Sequence, residues 1–424
     1  MTRRTLTGRF LLGPCVLIAA ANTVLGASLR GQDTGLTLGQ CVSIALDQNP
    51  SILSARELYQ ASRARINQAW ALPQPSLNFD SDLQPRPFDF AGSQESYLGV
   101  SGLIPFPARP YLSGRIAGKE SAEVLTEVAM AELEIAYQVK ATFYGLLLAR
   151  ELVTYARQNL ELSRDFIEQT ELKFGAGDVP RVEVIRARVE AARAATELSR
   201  AENEESLTRA RMNFLLARPG SAALEISGQL KAPPIGYNLE QLTTAALSSR
   251  PEIERIQASL QRVSLTKTLA YMSYLPDLEL GVAKHRVSGF EDTWLVTFSA
   301  QVPLFFWQPA IGEIREANSN SQALGQEASH LRNLISLEVQ EAHRGYTTAV
   351  TQIELMEDEI LSQAEEVYEM YLFSYRQGEI GGIELIAAQR TLSEARKAYV
   401  YSLFDYDVAI ASLEKSIGRT LGEN

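Results

Sequence analysis

Two long stretches of the chain place apolar or small residues at alternating steps of four and three. The first runs from Ile135 to Phe174, and the second repeats the spacing from Ile335 to Ser374. A period of about 3.5 residues is typical of helices that pack along a narrow seam, as in a coiled coil. The pattern predicts two long helices, the first over about residues 114–174, which return through further helices over residues 179–217 and 380–417.

Four shorter segments alternate apolar and polar residues with the period of two that is typical of β-strands. They cover residues 76–84, 97–104, 277–286 and 293–302, close to the roughly 9 to 11 residues that a tilted strand needs to cross a bilayer. In the fourth segment Trp294, Val296 and Phe298 alternate with mostly polar residues, and they are predicted to face lipid outside a water-filled barrel. A soluble sheet with one buried face would explain the same alternation, but its edges would stay open.

These elements are written twice along the chain. Residues 38–77 placed over residues 239–278 without a gap share ten identities, and the same offset of 201 positions returns between residues 174–187 and 375–388. Each copy has the order helix, two strands, long helix, return helix. The sequence therefore predicts a first repeat over residues 36–217, a connector rich in proline and glycine over residues 218–238, and a second repeat over residues 239–418.

The first residues have the pattern of a secretory signal peptide. Arg3, Arg4 and Arg9 lead into an apolar run from Phe10 to Ala21, and small residues follow, so residues 1–27 are predicted to be removed on export. Beyond this segment no run approaches 18 consecutive apolar residues, so a chain that crosses a membrane must do so as a closed barrel. The net charge of −11 argues against nucleic acid as a partner.

Residues that carry catalysis or hold cofactors form no recognisable pattern. His285, His330 and His343 fall in different predicted elements without metal-ligand spacing. Cys15 lies in the signal segment, so Cys41 has no disulfide partner in the exported chain. No nucleophile elbow or phosphate loop is found. The sequence therefore predicts no enzyme, no cofactor and no metal site.

The order of three motifs makes the chain resemble the TolC-type outer membrane efflux family. They are the opening Leu38–Pro50 with its copy at 239–251, the Gln-Val-Pro-Leu-Phe run at 301–305, and Tyr-Arg-Gln-Gly at 375–378, which leads to Gly-Ile-Glu at 382–384. The resemblance covers essentially the whole mature chain. It implies a mixed α and membrane β fold: a trimeric 12-stranded barrel, with four strands from each chain, continued by a long periplasmic coiled-coil tunnel.

The resemblance also implies roles for residues near the periplasmic mouth. The turns of the gate region are assigned to Phe174, Gly177, Tyr375 and Gly378. Glu183 and Glu384 are the candidates for a pore constriction, where a ring of carboxylates would attract cations. A simpler interpretation is that both glutamates are solvated residues that stabilise the start of a helix. The arginine that family gates use just beyond the glycine is Ile380 here.

The implied partners are two further copies of the chain, a periplasmic adaptor protein, an inner membrane pump and outer membrane lipid. Asp178 and Glu379, just past the two glycines, are expected to contact the adaptor. The chain is therefore predicted to be the passive outer membrane duct of a tripartite efflux system, with a periplasmic extension. The runs at Pro105 and Pro303 look similar to the branch that exports heavy-metal cations. A type I protein secretion channel and a non-transporting periplasmic scaffold are the alternatives.

Overall fold

A computed structural model describes residues 35–82, 84–90, 92–231, 236–302, 305 and 309–421. The predicted signal peptide over residues 1–27 lies outside these residues. So do positions 232–235 of the predicted connector and positions 303–304 of the motif that follows the last strand.

The first repeat begins with two capped helices. Thr37 and Gln40 form a capping box at the start of α1, and Asn49 caps α2, whose first residue is Pro50. The elements that follow keep the order expected from the sequence. Their bounds are α1 Leu38–Gln48, α2 Pro50–Trp70, β1 Ser76–Asp82, β2 Glu95–Ile104, α3 Ala108–Ala176 and α4 Arg181–Leu215.

The second repeat has the same order with one interruption. Its elements are α5 Leu239–Ser249, α6 Pro251–Met272, β3 Asp277–Val287, β4 Thr293–Gln301, α7 Pro309–Leu355, a π-helical turn Met356–Leu361, α8 Ser362–Gln377 and α9 Gly382–Ile417. Among the described residues, no helix has the length and apolar character needed to cross a membrane.

Helix α3 is longer than the sequence predicted. It contains 69 residues, which corresponds to roughly 100 Å at 1.5 Å per residue, and it begins six residues before the expected start at Gly114. Pro110 was expected to precede the helix but lies in its first turn, where a missing N–H costs no hydrogen bond. The predicted seam of α3 is largely buried from Ile135 to Ser163.

The predicted seam of the second repeat is wrong beyond Ile353. Ile360, Val367 and Met370 are exposed, whereas Ala364, Tyr368 and Tyr375 are buried. The π-helical turn explains the difference, because it adds a residue and rotates the buried face of all that follows. The spacing between equivalent buried residues is 353 − 153 = 200 positions before this turn and 364 − 163 = 201 positions after it.

The four strands form one antiparallel sheet in the order β1-β2-β3-β4. Trp294, Val296 and Phe298 share one face with the apolar residues of the other strands, and Trp294 has 72% of its surface exposed. Strands β1 and β4 each have one edge without a partner strand among the described residues. The sheet therefore has an exposed apolar face and two open edges.

A partly buried ion pair joins the sheet to the helices. The guanidinium group of Arg109, in the first turn of α3, pairs with Asp277 at the start of β3. Its Nη2 also donates to the carbonyl oxygens of Met272 and Leu275, at 2.8 and 2.7 Å. The other Asp277 oxygen accepts from the backbone N–H of Phe106 at 2.9 Å. These bonds fix the orientation of β3 against α3 and so hold the two repeats together.

Each repeat has its own apolar core. The first centres on α1, α3 and the end of α4, and it includes Leu224 and Ile226 of the connector. Ile226 is held by a backbone bridge to Leu36 and by Arg150, whose Nη1 donates to its carbonyl oxygen at 3.0 Å. Cys41 lies in this core, where burial raises the pKa of the thiol to about 11 and keeps it protonated at neutral pH.

Candidate functional site

The turns after α3 and α8 have the same backbone geometry. Gly177 and Gly378 adopt left-handed conformations with φ of 87° and 82°. The next N–H groups, of Asp178 and Glu379, donate to the carbonyl oxygens of Lys173 and Ser374 at 2.9 and 3.0 Å. This is the Schellman arrangement, and it favours glycine at the left-handed position. The structure thus forms two equivalent turns at the predicted gate segments.

Tyr375 joins the ends of the two helices at this site. Its side chain is 3% exposed, and its ring centroid lies 5.4 Å from that of Phe166 on α3. Lys173 on α3 donates to the Tyr375 carbonyl oxygen at 2.9 Å, and its ammonium group lies 3.8 Å from the centre of the Tyr375 ring. The Tyr375 hydroxyl lies 3.4 Å from Thr170 Oγ1. Tyr375 therefore fastens the end of α8 to the end of α3.

The two aromatic residues of the gate turns have different environments. Phe174 is the sequence equivalent of Tyr375, but 45% of its surface is exposed. Local sequence patterns do not reveal Phe166, Thr170 and Lys173 as the partners of Tyr375. One difference in the sequence does indicate that the two turns have different contacts: the position of Lys173 is occupied by Ser374 in the second copy. The duplication therefore does not make the two turns equivalent in their side-chain contacts.

Glu183 packs closely against the start of α9. Its Oε1 accepts from Arg186 Nη1 at 3.3 Å, while its Oε2 is buried without a hydrogen-bond partner among the described residues. A Cβ atom at Gly382 would lie 2.8 Å from that oxygen and 2.9 Å from Phe166 Cζ. Only glycine allows this approach without displacing the neighbours. Gly382 thus permits the close packing of α9 against the glutamate.

Glu384 lies two residues further along and is exposed. Asp178 and Glu379 are exposed as well, at the tips of the two turns. The structure thus places the two predicted constriction glutamates in the first turns of α4 and α9, but only Glu384 is free to face solvent. The described residues contain no group of three or more His, Cys, Asp or Glu side chains that could hold a metal ion.

Charged side chains join the two return helices beyond the mouth. Glu190 on α4 pairs with Arg390 on α9, whose Nε lies 3.2 Å from the carboxylate. Two helical turns further along, Glu197 pairs with Lys397. These residues line a cleft of about 210 Å³ over α3. Exposed ion pairs contribute about 0–1 kcal/mol each, so this ladder aligns the helices more than it stabilises them.

A model of the outer membrane efflux protein family matches residues 41–218 and 242–419. The chain therefore belongs to the outer membrane efflux protein family. The sequence-based predictions of an outer membrane location and of an efflux channel role are confirmed.

Particular relatives include a resistance protein and two channels of known structure. The cobalt-zinc-cadmium resistance protein CzcC of Cupriavidus metallidurans is 23% identical over 390 residues, which span 91% of this chain and 90% of CzcC. The outer-membrane channel OprN superposes with a TM-score of 0.76 at 18% identity, over 90% of this chain and 89% of OprN. CusC, whose structures describe transmembrane channel formation, gives 0.76 at 16% identity, over 92% of this chain and 96% of CusC. The predicted TolC-like fold class is thus confirmed.

Proposed function

We propose that three copies of this chain form a passive exit duct for metal cations, which an inner membrane pump supplies through a periplasmic adaptor protein. The observation that carries the proposal is the four-stranded sheet with two open edges, one apolar face and one acidic face. The similarity to a cobalt-zinc-cadmium resistance protein over 91% of the chain supports metal cations as the cargo.

The open edges support assembly into a closed barrel. Strands β1 and β4 each leave a row of backbone N–H and C=O groups unpaired, which is costly in lipid because no water is present to satisfy them. Pairing β4 of one chain with β1 of the next removes every edge. A barrel of about eight strands is filled by side chains, so a water-filled duct needs more than two copies of a four-stranded sheet.

The charge of the polar face supports passage of cations. All five acidic residues of the strands lie on this face. They are Asp80, Asp82, Glu95, Asp277 and Glu279. Asp277 is neutralised by Arg109, and the other four form no ion pair with a Lys or Arg among the described residues, although Glu95 contacts His285. A duct lined by carboxylates concentrates cations and repels anions.

We assign Glu384 to the narrowest ring of the duct, with Glu183, in the first turn of α4, as the second glutamate of the constriction. Replacing Glu384 by alanine should raise single-channel conductance and weaken block by divalent cations about tenfold, equivalent to ~1.4 kcal/mol, because each copy loses one carboxylate from the ring. Planar bilayer recordings with Co²⁺ added to the periplasmic side measure both quantities.

Glu379→Ala is the matched control for this variant. Glu379 is also an exposed glutamate beside a gate glycine, but it lies at the turn tip. It is expected to leave conductance and block unchanged and to weaken binding of the adaptor, as is Asp178→Ala. Unchanged conductance and block in Glu384→Ala would remove the constriction role from this residue.

The cargo is tested in cells. Deleting the gene should increase cellular accumulation of Co²⁺, Zn²⁺ or Cd²⁺, and restoring the chain should reverse the increase. If accumulation of organic drugs rises instead and that of the three cations does not, the metal assignment is wrong. Retention of a secreted protein would identify the type I secretion alternative.

A further inference from the structure

The two faces of the sheet carry charges of opposite sign. All acidic residues of the strands lie on the polar face, whereas both strand residues with permanently cationic side chains, Lys284 and Arg286, lie on the apolar face. That face also carries Trp294, Val296 and Phe298. Cationic side chains on a surface that is otherwise apolar and turned toward lipid each need an anionic partner, because an unpaired charge in lipid is costly.

Both cations lie far from the helices along their strand. Strand β3 begins at Asp277, which Arg109 fixes to α3, and Lys284 follows seven residues later. At about 3.3 Å per residue this is roughly 23 Å along the strand, or about 18 Å in height at a tilt near 40°. The lipid-facing band of outer membrane barrels is about 25 Å tall. Counted from Asp277, Lys284 therefore lies in the outer third of this band, and Arg286, two residues further on, lies close to its outer edge and to the lipid headgroups.

The surroundings of the two cations fit a headgroup site. Lys284 lies opposite Trp294 across the β3 and β4 pair, and large aromatic rings are typical of the membrane–water interface. Its ammonium group is 2.7 Å from Asp292 in the loop between these strands. Arg286 forms no ion pair within the described part of the chain, its neighbour on β2 is Ser96, and it shares the charge of Asp292 with Lys284 at longer range. Two cations thus face one carboxylate, which leaves a net positive charge on this end of the sheet.

We propose that Arg286, assisted by Lys284, binds the phosphate groups of the phosphorylated glycolipid in the outer leaflet that surrounds the barrel. A guanidinium group offers two parallel N–H donors to a phosphate, whereas an ammonium acts as a point charge. The apolar rows below Arg286 contact the acyl chains of the same lipid. The inference rests on the proposed barrel, since only assembly turns this face toward lipid.

The test compares lipid binding by the assembled protein with and without the two cations. Wild type and the Lys284→Gln/Arg286→Gln double variant are purified in mild detergent, and lipid A with its phosphates or enzymatically dephosphorylated lipid A is titrated in. Binding is followed by native mass spectrometry. We expect the double variant to bind phosphorylated lipid A at least tenfold more weakly than wild type, and dephosphorylated lipid A to bind both proteins equally weakly.

Arg200→Gln is the control, because Arg200 is an exposed arginine on α4 that forms no ion pair with a described residue. It should bind as wild type does. Inorganic phosphate at the same concentration should not compete, since the acyl chains contribute to binding. If the double variant fails to assemble, Arg286→Gln alone keeps the pair between Lys284 and Asp292 and gives the same comparison.

Equal binding of phosphorylated lipid A by wild type and the variant would overturn the proposal. If wild type binds dephosphorylated lipid A as tightly as phosphorylated lipid A, the phosphates play no role. If inorganic phosphate competes fully, the acyl chains of the lipid play no role. Conductance separates this proposal from the proposed function: a variant that conducts as wild type does but loses the lipid leaves the duct intact. Absence of conductance in wild type would reject the duct itself.

Discussion

Replacing Tyr375 by alanine is expected to open the periplasmic mouth of the duct. Truncating a fully buried aromatic side chain costs about 3–5 kcal/mol, and this variant also loses the contact of the Lys173 ammonium with the ring, worth about 0.5–2 kcal/mol. Both losses fall on the contacts that fasten α8 to α3. We therefore expect single-channel conductance without adaptor to rise severalfold in planar bilayers. The reason is that these contacts stabilise the closed state and not the open state, so their loss shifts the equilibrium toward the open state.

Phe174→Ala is the control for this prediction, since Phe174 occupies the equivalent position of the first repeat but is half exposed. It should change conductance less than Tyr375→Ala does. Lys173→Met keeps the length of the side chain and removes its charge and its hydrogen bond to the Tyr375 carbonyl oxygen, so an intermediate increase is expected. Wild-type conductance in Tyr375→Ala would show that this contact does not hold the mouth closed.

Replacing Asp407 by asparagine is expected to stabilise the protein above neutral pH. Asp407 lies in α9 with 8% of its surface exposed, and its Oδ2 is buried without a hydrogen-bond partner among the described residues. Burial raises its pKa, ordinarily below 4, to about 7. The charged form is therefore unfavourable in the folded chain, by an amount on the order of 4 kcal/mol.

The sign of the pH dependence follows from the raised pKa. The contribution of Asp407 to stability is fully present below the pKa of the unfolded chain, near 4, and is lost as pH rises through about 7. Asparagine has nearly the same shape as aspartate and cannot ionise. Two other acidic groups interact electrostatically with Asp407. They are Tyr144 on α3, whose burial raises its pKa to about 12, and Tyr406 on α9, whose pKa is also raised by burial.

Thermal melting of the helices at pH 4.5 and pH 8 measures this effect. The Asp407→Asn variant should melt close to wild type at the lower pH and several degrees above it at the higher pH. Asp47→Asn, an exposed aspartate on α1, is the control and should show no such divergence. A difference between Asp407→Asn and wild type that stays constant from pH 4.5 to pH 8 would reject the burial of a charge at this site.

The sequence predicted those parts of the fold that depend on local periodicity. The alternation around Trp294 identified β4 and its apolar face, and the seam from Ile135 identified α3, because both patterns record which side of an element meets other protein or lipid. The seam beyond Ile353 could not be predicted, since the π-helical turn adds one residue whose position is set by packing between helices. The change is not visible in the sequence, because the seam continued at its original spacing also falls on apolar residues such as Ile360 and Val367.

The candidate mouth was predicted in outline and missed in its contacts. The glycines with positive φ were visible as motif positions, because only glycine adopts that conformation readily. The contact between Lys173 and Tyr375 joins residues 202 positions apart, and the close packing of Gly382 against Glu183 joins residues 199 positions apart. Such pairs follow from how the two repeats pack together, which no local pattern records.

The central claim is that copies of this chain close into a membrane duct, and the mass of the purified protein tests it most directly. Native mass spectrometry after extraction from outer membranes should give three chains per particle, and the same preparation should form water-filled channels in planar bilayers. The open edges of β1 and β4 are the reason for this expectation. A single chain that stays in solution without detergent and forms no channel would contradict it.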